Sequence, residues 1–350
     1  SLVGANVAVT ENGELNLAAA TITGTATFNS TNNAITDSGT LTIAGASTFN
    51  SGTANLDLNE AASSFGDLTI TSAEAYVSDS GALTASNVQA DKVQLKAGSG
   101  ISATSTGVTE FAAESDSGDI SITNTGGYAI SDFASTSGIT GVRFTDSDAT
   151  GTITLIANSP LTINAPVDAG KGALQLTAAG SESTDDVTIN AAISGGAIAV
   201  DAGDSIAVNS GGVTSTSLSL TASNDISVNT PIIATTANLN AGDQISLESG
   251  ASVSSSTFNV TSTKLKVDPS ASVPAFNFSG GAEGDPSFDR NGRVQEATQN
   301  DWNSYFRASG TVELAYDSAG DVVLDQMILS FIENEAAPVN SGEVELEEEE

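Results

Sequence analysis

Apolar residues in this chain fall into short triplets, apolar-x-apolar, that return at nearly constant intervals. Ser205-Ile206-Ala207-Val208, Asp225-Ile226-Ser227-Val228, Gln244-Ile245-Ser246-Leu247 and Lys264-Leu265-Lys266-Val267 follow one another at a spacing of about 20 residues. Leu161-Thr162-Ile163 and Val187-Thr188-Ile189 belong to the same series, and the wider gap between them predicts a loop around residues 181–186. A second series runs a little ahead, at Ile198-Ala199-Val200, Leu218-Ser219-Leu220, Ala237-Asn238-Leu239 and Phe258-Asn259-Val260. A third follows the first at Val213, Ile232, Val253 and Val273. Alternate residues of a strand point to opposite faces, so each triplet offers two apolar side chains to one side. Three short strands in each such repeat predict a coil of triangular cross-section.

The chain is also visibly duplicated. Thr21-Ile22-Thr23-Gly24-Thr25-Ala26-Thr27-Phe28-Asn29-Ser30 matches Thr42-Ile43-Ala44-Gly45-Ala46-Ser47-Thr48-Phe49-Asn50-Ser51 at seven of ten positions. One rung of this kind has no interior, and stacking rungs at roughly 4.8 Å creates one. The expected fold is an all-β, parallel β-helix over residues 1–275. Its 13 to 14 rungs would make a rod on the order of 65 Å long.

One position after the first series stand Asn164, Asn190, Asn209, Asn229, Glu248 and Asp268. This reads as a corner ladder: Asn tolerates left-handed backbone, and its amide can bond to the rungs above and below. Stacking Glu248 on Asp268 breaks the neutral series and calls for water or a cation between them. No cofactor is expected; the one that these residues leave room for is calcium, with Glu248, Asp268, Asp146 and Asp148 as weak candidate ligands.

Composition supports strands and narrows the chemistry. Of 350 residues 39% are hydrophobic but only 5% aromatic, with 34 Gly, which suits β-branched strands and tight turns more than helices. Against 43 acidic residues stand 9 basic ones, a formal net charge of −34. Nucleic acid and anionic membrane surfaces, both of which need clustered Lys and Arg, are excluded as partners. With no His and no Cys, Ser-His-Asp and Cys-His catalysis and His/Cys zinc sites are excluded too. Gly195-Gly196 and Gly211-Gly212 lack a phosphate-gripping Lys and read as turns. No apolar run approaches the ~20 residues of a membrane-spanning helix. A start at Ser1 without Met reads as a processed form or a fragment of a larger exported protein.

Some candidates for chemistry remain. Arg143 with Asp146 and Asp148 is the nearest approach to a lyase-type base beside calcium-binding carboxylates, although an acidic turn with one charge partner explains it as well. Thr-x-Thr fragments (Thr21/Thr23, Thr25/Thr27, Thr152/Thr154) suit an ice-binding face but do not recur at one corner of each rung. Residues 276–340 leave the pattern and read as a small non-solenoid cap or docking segment, and the Glu-rich residues 341–350 as a disordered tail. Within that segment Arg290, Arg293, Trp302, Tyr305, Phe306 and Arg307 combine the residue types enriched in interface hot spots.

Stretches such as Gly151-Thr152-Ile153-Thr154-Leu155, Pro160-Leu161-Thr162-Ile163-Asn164-Ala165-Pro166-Val167, Ala202-Gly203-Asp204-Ser205-Ile206 and Ala241-Gly242-Asp243-Gln244-Ile245 resemble the repeats of large β-helical bacterial exoproteins. These are the filamentous haemagglutinin type and its autotransporter-passenger relatives, and the resemblance spans roughly residues 10–275. It implies a right-handed parallel β-helix, secretion to the cell exterior or outer surface, and a role in adhesion, aggregation or biofilm. It carries over no binding residue. The leading expectation is therefore a non-enzymatic surface stalk whose partners are cell-surface glycans, proteins or other copies of itself. A fibre subunit joined head to tail and a carbohydrate-active β-helix are the alternatives.

Overall fold

The computed structural model describes residues 2–133, 137–268 and 270–274 in full. Beyond them it describes the backbone of the strands Phe276–Ser279, Ser287–Phe288, Val294–Glu296 and Val312–Leu314. The chain coils into a β-solenoid of about 13 turns with no helix among the described residues. Parallel strands form three faces.

The first face starts with Val7–Glu11, Ala26–Ser30 and Ser47–Asn50 and continues rung by rung to Thr257–Thr261. The duplicated segments are neighbouring rungs: Thr21 lies on Thr42 and Thr27 on Thr48. Phe28 and Phe49 therefore stack, with ring centroids 5.2 Å apart, and Phe65 meets Phe49 edge-on at 5.9 Å. The second face runs from Leu15–Leu17 through Leu161–Ile163 and Ile206–Val208 to Lys264–Val267. Within each triplet the outer two side chains are buried, as the alternation predicts; Ile206, Val208, Ile226 and Val228 are each at most 1% exposed. Columns of like residues, such as Val200, Leu220, Leu239 and Val260, fill the interior from rung to rung.

The third face changes form along the rod. It is separate at the start (Ala20–Ile22, Leu41–Ile43, Ser64–Phe65). In the following rungs Glu74–Asp79, Lys92–Ala97 and Glu110–Ser115 run across the corner, so one strand serves both second and third faces. Dropping a corner shortens the turn. Leu68 lies on Ala85 and Ala85 on Ala103, both closer in sequence than Ser47 and Leu68 on the rungs before them. Later, Ile193–Ala202, Val213–Ala222 and Pro231–Ala241 fuse the third face to the first. Gly195-Gly196 lies inside one of these long strands and is no turn. A Cβ on Gly196 would come within 2.3 Å of the Lys171 carbonyl oxygen, which is why glycine stands there. Gly211 and Gly212, both near φ +80°, do form a turn.

Two rungs are longer. Ala157 lies on Ala178 at an ordinary offset, but Leu161, just after it, lies on Val187. The extra residues therefore fall between 178 and 187, where residues 181–184 are exposed. Asp185 folds inward and accepts a hydrogen bond from the Glu182 amide (2.7 Å). The other rung has no counterpart in the sequence reading: Ile120 lies on Ile153, the widest offset on the first face. Part of the excess is an antiparallel hairpin, Asp132–Phe133 against Ile139–Thr140, which leaves the coil between the second and third faces. At the far end the parallel ladder reaches Phe276–Ser279, on which Val312–Leu314 pairs antiparallel.

Candidate functional site

The hairpin folds back onto the outer surface of the fused strands. Phe133 and Ile139 bury Ala112 and pack with Tyr76 into a small apolar cluster outside the rod. Beside it lie three of the nine basic residues, Lys92, Lys96 and Arg143. Strand register sets what each one meets. Glu74, Lys92 and Glu110 stack on successive rungs, with Nζ of Lys92 3.7 Å and 4.0 Å from the two carboxylates. Further along the same strands, Lys96, Glu114 and Arg143 stack in the same way. Glu114 accepts from Lys96 Nζ at 2.9 Å and from Arg143 Nε and Nη2 at 3.0 and 2.7 Å. Burial alone would raise the Glu114 pKa, but Lys96 and Arg143 outweigh it and hold the carboxyl below its usual value.

The residues of the lyase-type constellation each have a partner of their own. Arg143 is bound to Glu114, Asp148 is paired with Lys171 Nζ at 2.6 Å, and Asp146 caps its own turn by accepting from the Asp148 amide at 2.9 Å. No group of three His, Cys, Asp or Glu side chains suited to a metal occurs among the described residues. Near Arg143 lies an open hollow of about 360 Å³ lined by Phe144, Thr145, Ser147 and Asp168. A cleft of about 130 Å³ lies by Asp57, Glu74, Tyr76 and Gln94, small against the several hundred Å³ typical of ligand pockets.

The corner ladder is brought together in its first half. Asn190 donates its amide to Asn164 at 3.0 Å, and Asn209 donates to Asn190 at 3.0 Å. Asn229 is the next residue in the column, and its amide oxygen instead accepts from the Gly250 backbone at 2.9 Å. The backbone at these corners is not left-handed: Asn32 is the one non-glycine residue of positive φ among those described. The Asn residues stand there for their amides alone. At the acidic end Lys266 supplies the cation, with Nζ 3.6 Å from Glu248. Asp268 turns to its own loop, accepting from Ser270 N (2.9 Å) and Oγ (2.5 Å); these bonds lower its pKa. The repulsion expected between Glu248 and Asp268 is thus met by a lysine just before Asp268 on the same rung. Arg290, Arg293, Trp302, Tyr305, Phe306 and Arg307 lie outside the described residues.

Asp37, Asp79 and Asn124 are among the buried polar groups that escaped the sequence reading. Asp37 stands in a core column but turns to the corner, accepting from the amides of Asn59 (3.0 Å) and Glu60 (3.4 Å). Burial raises its pKa to about 6, against those two bonds. Asp79 accepts from Phe65 N and Gly81 N at 2.8 and 2.7 Å, and burial raises its pKa as well. Asn124 accepts from Ser105 Oγ (2.9 Å) and donates to the carbonyl of Val108 (3.0 Å). Only their positions next to turns could have marked them.

The fold and these ladders define a β-solenoid repeat protein. Residues 4–72, which include the duplication, match a family described as repeats of unknown function (DUF5649). No curated protein and no solved structure matches the chain. No helix among the described residues is long and apolar enough to cross a membrane.

Proposed function

We propose that the chain is a non-enzymatic stalk at the exterior of a bacterial cell, a stiff spacer in adhesion, aggregation or biofilm, of the filamentous haemagglutinin-like kind. The observation that carries this reading is that the residues best suited to chemistry are spent on each other. Glu114 holds Lys96 and Arg143, Lys171 holds Asp148, and Lys266 holds Glu248. What is left is a continuous scaffold, and a stacked solenoid is stiff because every rung is bonded to both neighbours. The net charge of −34 opposes indiscriminate clumping of such a long β-surface, and salt screens that repulsion. The test is binding of the purified chain to whole bacteria and to immobilised matrix polysaccharide, alongside a polysaccharide-depolymerisation assay. Retention without turnover is expected. Polysaccharide cleavage that Arg143→Ala abolishes would overturn the reading in favour of a carbohydrate-active β-helix.

A further inference from the structure

We propose that the first face of the solenoid is a lateral pairing surface for a second copy of this chain. Register places small polar side chains in straight rows along this face, as in Thr27, Thr48 and Thr69, or Ser102, Ser121 and Thr154. Between Ala26 and Thr261 its outward strand positions carry only two charges, Asp67 and Asp201, in a chain whose formal net charge is −34. The second face is charged by comparison, with Asp57, Glu74, Lys92, Glu110, Lys264 and Lys266 along its strands. Much of the acid runs along the corners, with Asp204, Asp225 and Asp243 on the rim beyond this face. Pairing through the first face brings two wide surfaces together with almost no charge between them.

Size agrees with this. Twelve strands at a 4.8 Å spacing give a length of about 55 Å, and five or six residues per strand give a width of about 17 Å. Each copy would then contribute about 1,000 Å², which brings the pair to the area of a stable protein–protein interface. The outward side chains of this face are mostly Thr, Ser, Asn and Ala, small enough for two sheets to approach to about 10 Å and interdigitate. The inference rests on the fold and on the charge distribution, and it holds whether or not the rod is an adhesin.

The test is sedimentation equilibrium of the full chain, with small-angle X-ray scattering of the same samples, at low salt and at about 0.5 M NaCl, where rim charges are screened. A mass of two chains is expected at high salt, with a larger cross-section and an unchanged long axis. Thr48→Glu, Ser121→Glu and Ser219→Glu together should weaken the dimer at least tenfold. The same number of charges on the second face, Thr36→Glu, Thr162→Glu and Ser227→Glu, should leave it intact. Far-UV circular dichroism checks folding, and Ser121→Glu alone reads the same interface if the triple variant does not fold. A monomer under all conditions, a dimer that is longer but no thicker, or pairing indifferent to the first-face substitutions would overturn the proposal.

Discussion

Arg143 reaches across from the rung after the hairpin to place two nitrogens on one oxygen of Glu114, at 2.7 and 3.0 Å. The Glu114 side chain is 7% exposed and the Arg143 side chain 44%, so the carboxylate depends on the pair more than the guanidinium does. Glu114→Ala should cost about 1–2 kcal/mol, less than a fully buried pair because Lys96 and Arg143 regain water. Arg143→Ala should cost less, since Lys96 still faces the carboxylate. Urea denaturation of the two variants measures both.

Two buried carboxyls predict opposite pH responses. Asp37 has a pKa of about 6 in the fold, above its unfolded value, so the fold binds a proton that the unfolded chain releases. That contribution is complete below about pH 4 and is lost as pH rises through about 6. Glu114, held below its usual value, works the other way: its contribution is present at neutral pH and is lost on acidification. Asp37→Asn should therefore stabilise the chain at pH 7 by roughly 1–3 kcal/mol and have little effect at pH 4. Thermal melts at the two pH values check this. Equal effects at both would contradict it.

The Phe28–Phe49 stack should be the most sensitive point of the first rungs. Phe49 is fully buried and touches Phe28 and Phe65, so Phe49→Ala should cost about 3–5 kcal/mol. Because rungs contact only their neighbours, the loss should concentrate near this end. Amide exchange would show faster opening of residues 20–70 than of the rungs beyond 190.

In the Asn corner, Asn190 bonds in both directions and Asn164 in one. At about 0.5–1.5 kcal/mol per bond, Asn190→Ala should be about twice as destabilising as Asn164→Ala. Equal losses would mean that the ladder adds nothing beyond backbone pairing.

The strands of the second half were legible because their triplets recur at a near-constant interval, and Ile206, Ile226, Ile245 and Leu265 stack as that spacing requires. The first half was legible through the duplication at Thr21 and Thr42. Between residues 67 and 153 the period failed, for a structural reason. Strands such as Lys92–Ala97 cross a corner and shorten the turn, whereas the hairpin at 132–140 lengthens one. Neither change leaves a periodic trace. The charge pairs were hidden for the same reason, since Glu114 and Arg143 are neighbours only when the hairpin is skipped. At the acidic end the Glu248–Asp268 conflict was visible in the sequence. Its resolution by Lys266 was not, because that lysine lies on the same strand's outward side.

The absence of cysteine allows a direct test of the stacking itself. Spin labels at Thr27→Cys with Thr123→Cys, and at Thr27→Cys with Thr221→Cys, sit in one outward row of the first face. Register puts five rungs between the first pair and nine between the second. Electron–electron resonance distances should be about 24 Å and about 43 Å, growing by one strand spacing per rung. Distances that do not increase from the first pair to the second would contradict the solenoid, and with it the stalk, the lateral face and every ladder described above.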